Sequence, residues 1–396
     1  MRHPIQLGID RVIDGQYEQQ PQLFAGRLGL LMNQASVTRE LQYSCDALAA
    51  KFPGQLKAIF APQHGVWGEQ QANMIESDHA KHPTLDIPLF SLYSETRRPT
   101  PEMLDAIDCL VIDVQDVGTR VYTFIWTVVH CLEACAEQGK RVVILDRPNP
   151  VGGEVVEGPL LQHGYESFVG EATIPLRHGL TVGELARLCA AERRIDVELE
   201  VVPMLGWQRS MLFHELDLSW IWPSPNMPTE TTTVLYPGQV LLEGVNLSEG
   251  RGTTRPFEVA GAPFLDPWKW CQRLAEFQRP GLQLRPTRFM PTFDKWVGQS
   301  CGGIELVVKQ AHEVRSVATT CALIATAAEL APESFEWLPP PYEYEFHKPP
   351  IDILFGSAEF RKQVDARSIA SCEVLHALLE FDVVEWESRT GSAKIY

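Results

Sequence analysis

The sequence predicts an α/β protein, with a doubly wound parallel sheet in its N-terminal part and an α+β region after it. Three observations predict this. Apolar strand-like runs alternate with helical patterns repeatedly before residue 150, and residues 109–114 form a near-continuous β-rich run of the kind buried in parallel sheets. After about residue 230, helical stretches mix with short strands instead of alternating with them.

In order, Arg27 to Met32 is an apolar run that ends at Asn33 and leads into a helical pattern from about Leu41 to Lys51. Leu56 to Ala61 is the next strand, and Pro62-Gln-His-Gly-Val-Trp-Gly-Glu69 opens a polar loop. Ile87 to Leu92 precedes a Pro-rich segment. Cys109 to Val114 comes next, running into a turn with Asp113, Gln115 and Asp116, and then a helix from about Tyr122 to Gln138 that Gly139 closes. Arg141 to Leu145 is a strand, Thr181-Val-Gly-Glu184 is a capping box for a helix to about Glu192, and Leu199 to Val202 is a further strand. The Pro density of Trp220 to Pro228 marks a linker, which divides the chain into residues 1–228 and 229–396. In the second part, helices are expected over Pro267–Phe277, Val317–Leu330 and Ser371–Leu379. A strand is expected at Ile304–Val308, and Pro339 to Tyr342 reads as an extended spacer.

In such a sheet the carboxyl ends of the strands share one edge, where polar residues distant in sequence converge. Those ends carry Asn33, Gln63 and His64, Asp113 and Asp116, and Arg147 with Asn149. Gly118 and Thr119 are expected to open the long helix, whose free N–H groups favour an anion. Asp116 either caps that helix or contacts a ligand. Arg120 and Tyr122 favour ligand contact, because a cation in a first helical turn opposes the helix dipole unless it is partnered. His64, a loop histidine, either touches ligand or packs. Arg147 and Asn149 either bind ligand or tie down the Pro148/Pro150 turn. Arg251 and Arg255 either clamp a carboxylate or form surface salt bridges.

Composition narrows the function. The 34 Lys+Arg against 51 Asp+Glu give a net charge of −17 with no basic block, so neither nucleic acid nor an anionic membrane is an expected partner. The N-terminus lacks a signal-peptide core and no apolar run is long enough to span a bilayer, so a cytoplasmic location is expected. Nine cysteines without a CxxC pair are expected to be reduced and mostly buried. GxGxxG after a strand, GxxxxGK[ST], HExxH and GxSxG are all absent, which removes the parts of nicotinamide, nucleoside-triphosphate, zinc-protease and serine-hydrolase chemistry. His79 and His82 lack further ligands at suitable spacing, so no metal is expected.

Seven stretches together resemble one bacterial glycoside hydrolase family, the exo-β-N-acetylmuramidases, formerly a domain of unknown function. They are Ala61-Pro-Gln-His-Gly65, Ser91-Leu-Tyr93, Asp113-Val-Gln-Asp-Val-Gly-Thr-Arg-Val-Tyr-Thr123, Leu145-Asp-Arg-Pro-Asn-Pro-Val-Gly-Gly153, Glu157-Gly-Pro159, Arg177-His-Gly-Leu-Thr-Val-Gly-Glu-Leu185 and Glu243-Gly-Val-Asn-Leu-Ser-Glu-Gly-Arg-Gly-Thr253. The resemblance implies a Rossmann-like N-terminal domain, a C-terminal auxiliary domain with the active-site cleft near their junction, and no nucleotide cofactor. The implied activity is release of terminal N-acetylmuramic acid from peptidoglycan fragments, as in cell-wall recycling. The alternative is a non-catalytic or altered-specificity member that binds an acidic amino sugar or muropeptide.

One departure bears on chemistry. The family usually has glutamate where this chain has Gln63, and an amide cannot exchange a proton as a carboxyl group does. If that carboxylate is catalytic in relatives, this chain has either moved the role to a neighbour such as Glu69 or changed its reaction. Glu69, Asp116 and His64 are the candidate catalytic residues. Asn33, Gln63, Asp113, Gly118, Arg120, Tyr122, Arg147, Asn149, Glu249 and Arg251 are the candidate substrate-binding residues. Within that set, Arg120, Arg147, Arg251 and the helix start at Gly118 suit the lactyl carboxylate of the muramic acid that the resemblance implies.

Overall fold

The computed structural model describes residues 2–71 and 75–396. The strands before residue 203 are β1 (Leu28–Met32), β2 (Leu56–Ala61), β3 (Ala80–Lys81), β4 (Pro88–Ser91), β5 (Cys109–Asp113), β6 (Arg141–Leu145), β7 (Glu157–Leu160), β8 (Pro175–Arg177) and β9 (Leu199–Val202). Seven of them form one sheet in the order β3-β4-β2-β1-β5-β6-β9, while β7 and β8 pair separately. Every neighbouring pair in the large sheet is parallel except β3–β4 at the edge. Of these strands, β3, β7 and β8 carry no clear signal in the sequence.

Both faces of the sheet are covered, which is why its strands read as apolar runs without polar alternation. Leu28, Leu30, Met32, Val111 and Val143 pack with Ile9 and Trp207 on one side. Leu31, Leu110, Ile112 and Ile144 pack on the other against Val128, Leu132 and Ala186, which belong to helices Phe124–Glu137 and Val182–Arg193. The period of two along each strand divides its side chains between the two cores. The capping box forms as the sequence indicates: Thr181 Oγ1 accepts from Glu184 N, and the Glu184 carboxylate accepts from Thr181 N.

The long helix does not open at Gly118. It begins at Phe124, after Thr123. Residues 118–120 are drawn instead to the edge of β8: Thr119 forms a bridge with Arg177, and Arg120 N donates to Leu176 O at 2.8 Å. Gly118 takes φ +74°, and a Cβ there would collide with the Asn149 side chain. The glycine is therefore demanded by a close approach inside the protein.

The second part contains an antiparallel sheet of β10 (Val259–Ala262), β11 (Leu282–Phe289) and β12 (Cys301–Val308), in the order β10-β12-β11. Helices Glu230–Gln239, Pro267–Leu274 and Ser316–Leu330 flank it. Its apolar core, which includes Trp270, Ile304 and Leu323, also takes in Val117, Tyr122 and Phe124 from the connection after β5. The two parts of the chain thus share buried surface, and the cleft lies along that junction.

Two segments without regular structure are held closely in place. Within Trp220–Pro228, Trp220 Nε1 donates to Met227 O at 2.9 Å and the Trp222 carbonyl accepts from Gln34 Nε2 at 2.6 Å. The chain before Pro339 is zipped to the turn after Glu243, with Asn246 N donating to Glu336 O and Leu338 N to Gly244 O, both at 3.0 Å. Beyond Pro339 the chain crosses to the loops of the large sheet, where Glu343 meets Tyr93 and Gln63.

Candidate active site

The cleft collects residues from both parts of the chain. Gln63 and His64 come from the end of β2, Tyr122 and Thr123 from the connection after β5, and Ser224 and Asn226 from the Pro-rich segment. Tyr236, Glu243, Arg251, Phe257, Tyr342 and Glu343 form the facing wall. The loops after β2 and β5 flank β1, where the strand order reverses and where open α/β sheets place their ligands. The enclosed space is small, about 30 Å³ measured to the centre of a water-sized sphere. A groove of about 560 Å³ elsewhere, beside Phe335 and Trp337, holds none of the candidate residues, and its Arg273 is already paired with Glu329 and Glu276.

Glu343 is the carboxyl group best placed for proton transfer. Tyr93 Oη donates to Glu343 Oε2 at 2.7 Å, and Gln63 Nε2 donates to Oε1 at 3.2 Å. Thr123 fixes the amide by donating to Gln63 Oε1 at 2.6 Å. Burial raises the Glu343 pKa, outweighing those two hydrogen bonds, which favour the ionised form. Glu343 and Tyr344 take φ +43° and +67°. Such left-handed backbone costs on the order of 1–3 kcal/mol per residue and persists where surrounding contacts enforce it. Here Arg97 stacks on the Tyr344 ring at 3.2 Å from its centroid.

Glu243 stands in a charged network behind the same wall. Arg251 bonds Glu243 Oε1 at 2.5 Å and Glu249 Oε1 at 3.1 Å, while Tyr342 Oη donates to Glu243 Oε2 at 2.5 Å. Lys295 Nζ donates to Glu249 at 2.8 Å and to the carbonyls of Leu242 and Leu247 at 2.7 and 3.0 Å. Burial opposes the charges of Glu249 and Arg251, but attraction to their partners wins: it lowers the Glu249 pKa and raises that of Arg251. Two carboxylates and two cations cancel.

His64 lines the cleft at φ +72°, with Nδ1 against Gln70 O at 2.7 Å. Burial pushes its pKa down to about 4, and that of buried His178 to about 3. Both rings are therefore neutral near pH 7. Since these folded-state values lie below the ordinary 6.5, the unfolded chain binds more protons in the window from about 6.5 down to 4. The rings' share of the stability accordingly falls as pH drops through that window, while Asp116 and Asp146, raised by burial to about 7 and about 6, act the opposite way; the urea midpoint of His178→Asn should therefore lose less between pH 7 and pH 4.5 than that of the parent. Equal losses in the two proteins would show that His178 titrates in the fold as it does in the unfolded chain.

Several expected ligand contacts are turned to structural use. Asp113 and Arg147 bind each other, with Arg147 Nε and Nη2 at 2.5 and 2.8 Å from the carboxylate, and Arg147 also donates to Val37 O. Both are buried, and neither lines the cleft. Arg120 is fully buried, and its guanidinium donates to the carbonyls of Pro159, Ile174, Leu354 and Phe355. Its Nε is left without a partner among the described residues, but the side chain is fully buried and lies outside the cleft wall. Asn33 donates to Gln115 O, and Asn149 to Leu180 O while accepting from Val151 N; these contacts fix turns. Gly118 is spent on its contact with Asn149 and carries no helix start, so the expected anion site is absent there.

Asp116 does not cap the helix, since its Oδ2 accepts from Gly118 N at 2.6 Å. Its Oδ1 is buried without a hydrogen-bond partner among the described residues, and burial pushes its pKa up to about 7. Glu69 is exposed and lies outside the cleft wall. Glu69→Gln should therefore leave kcat/KM within about 2-fold of the parent, as for an ordinary surface change. A loss of about 100-fold, the scale of a missing acid, would return the role to Glu69. Gln63, His64, Tyr122 and Arg251 are the expected residues that do line the cleft, with Glu249 behind Arg251.

Sequence reasoning missed Glu343 and Tyr342, read as part of a spacer or just beyond it, and Ser224 and Asn226, read as linker. Glu243 and Tyr93 stood inside the family-like stretches without an assigned role. For Glu343 no signal existed, because it is brought to the site by chain crossing and not by a strand end.

Comparison with known proteins agrees with this architecture. Residues 28–231 match the N-terminal model of exo-beta-N-acetylmuramidase NamZ, and residues 234–396 match its C-terminal model. The peptidoglycan beta-N-acetylmuramidase NamZ of Bacillus subtilis is 44% identical over 334 residues, covering 84% of this chain and 80% of that protein. Two crystal structures of DUF1343 family proteins from Bacteroides fragilis superpose with TM-scores of 0.88 and 0.74, at 30% and 26% identity, each over 99% of both chains. Among the described residues, no helix is long and apolar enough to cross a membrane. The chain therefore belongs to the NamZ exo-β-N-acetylmuramidase family and is a glycosidase of that kind.

Proposed function

We propose that this chain releases terminal N-acetylmuramic acid from peptidoglycan fragments, in cell-wall recycling, with Glu343 and Glu243 as the working carboxyl groups. The observation that carries the assignment is Glu343: a buried carboxyl with a raised pKa, held on both oxygens inside the cleft. Such a group stays protonated long enough to protonate the leaving oxygen, and Tyr93 and Gln63 then stabilise the carboxylate it becomes. Glu243, paired with Arg251, supplies negative charge to the oxocarbenium-like transition state. The small enclosed volume means that a sugar ring enters as the two walls part. In this reading residues 1–228 supply the sheet and its loops, and 229–396 close the cleft. The nine free thiols fit a reducing compartment, the cytoplasm.

Pure protein incubated with a chromogenic β-N-acetylmuramide should release the chromophore. No release above blank, with an active family member run alongside, would sink the hydrolytic reading. Recovery of unchanged ligand from a tight complex would instead favour a binding role, the reading to which the amide at Gln63 lends weight.

Gln63 has its own test. Gln63→Glu places a second carboxyl at the 3.2 Å contact with Glu343. Like charges at that range raise the pKa of the pair, so the basic limb of the kcat/KM profile should move to higher pH. An unmoved limb would mean that residue 63 is not coupled to the proton donor.

A further inference from the structure

The lactyl carboxylate that distinguishes N-acetylmuramic acid from N-acetylglucosamine calls for a partner, and the arginines that suit it chemically are taken. Arg120 is held by four carbonyls and Arg147 by Asp113 and Val37 O, and neither lines the cleft. Arg251 lines the cleft, but two carboxylates of the protein, Glu243 and Glu249, already hold its guanidinium. Arg97 stacks on Tyr344 outside the cleft wall, with Nε and Nη2 left without hydrogen bonds among the described residues. Within the cleft wall itself, the donors left to meet the anion are neutral.

Among the described residues, the cleft holds a donor left over by the fold. Tyr122 is 6% exposed, and its Oη is buried without a hydrogen bond of normal geometry among those residues. The ring is fixed edge-on to Phe124 and Tyr236, at centroid distances of 4.6 and 5.8 Å, so the hydroxyl cannot swing away to find a partner. Ser224, whose hydroxyl is close enough to donate to the Tyr122 oxygen, and Asn226 stand in the same wall. Asn226 uses Nδ2 on Gln71 O at 3.2 Å, which anchors that side of the wall and leaves its second amide hydrogen. A buried, rigid hydroxyl in a cleft whose proton has no acceptor is a group waiting for one, because an unmade buried hydrogen bond is costly. Asp116, close enough to act on Tyr122, carries little charge below neutral pH and does not repel an anion there.

We propose that Tyr122, with Ser224 and Asn226, selects muramic acid by donating to its lactyl carboxylate. Tyr122 is thus a specificity-determining residue. The proposal rests on the muramidase reading above, and its test is arranged so that the two can fail separately.

Tyr122→Phe removes one oxygen and keeps the ring packing; Ser224→Ala is the second variant. The ratio of kcat/KM on an aryl β-N-acetylmuramide to that on the matching β-N-acetylglucosaminide is measured, together with calorimetric affinities for free N-acetylmuramic acid and free N-acetylglucosamine. A hydrogen bond to a charged group lost in Tyr122→Phe should lower the muramide preference roughly 10- to 100-fold, with a smaller fall for Ser224→Ala. Equal losses on both sugars, or an unchanged preference, would overturn the proposal. Should the parent protein cleave neither glycoside yet bind muramic acid preferentially, and lose that preference in Tyr122→Phe, the hydrolytic reading fails and the specificity assignment stands. A parent protein with no preference in either measurement would also overturn it.

Discussion

Glu343→Gln should lower kcat by about 10²- to 10⁴-fold, the range of a lost general acid, with KM nearly unchanged. The substitution keeps the shape of the side chain and an acceptor for Tyr93, so the resting complex is little altered. The loss should be larger on a natural disaccharide than on a nitrophenyl glycoside, because a poor leaving group depends more on protonation. The direction of the shift also sets the pH dependence. Glu343 must be protonated to act and burial raises its pKa, so the parent enzyme loses activity as pH rises through that raised value, and the variant lacks this limb. A kcat within about tenfold of the parent, with the limb intact, would remove Glu343 from the chemistry.

Arg147→Met is expected to be the most damaging change to stability. It strands the Asp113 carboxylate, which is fully buried at the carboxyl end of β5 with only the Ser44 hydroxyl still on it. Breaking a buried ion pair from one side costs about 3–5 kcal/mol. Asp113→Leu combined with Arg147→Met should recover much of that cost, since no uncompensated charge remains. Urea midpoints of the two variants test this. If Arg147→Met instead unfolds like the parent and only raises KM, the arginine faces substrate after all.

These two residues show where reading from sequence succeeds and where it stops. The strand runs, the reversal of strand order and the Thr181 capping box are local patterns, and periodicity expresses them directly. The rule that strand ends converge brought Gln63, His64 and Tyr122 to one cleft. It did not separate residues facing the cleft from those one turn deeper: Asp113, Arg147, Asn33 and Arg120 are polar because buried backbone and buried charges need partners. A polar residue at a strand end looks the same in either role. Glu343 lay beyond reach for a different reason, since a Pro-rich segment has no period and its destination depends on the docking of distant elements.

The separation of Glu343 from its holders has a consequence for refolding. The hydrogen bonds from Tyr93 and Gln63 close loops of 250 and 280 residues, between segments that cannot meet until the large sheet and the C-terminal core have both formed. Recovered turnover after dilution from denaturant should lag behind recovered far-UV signal, and two fragments divided at the Pro-rich segment should be silent alone and active when mixed. The proton donor thus doubles as a reporter of assembly.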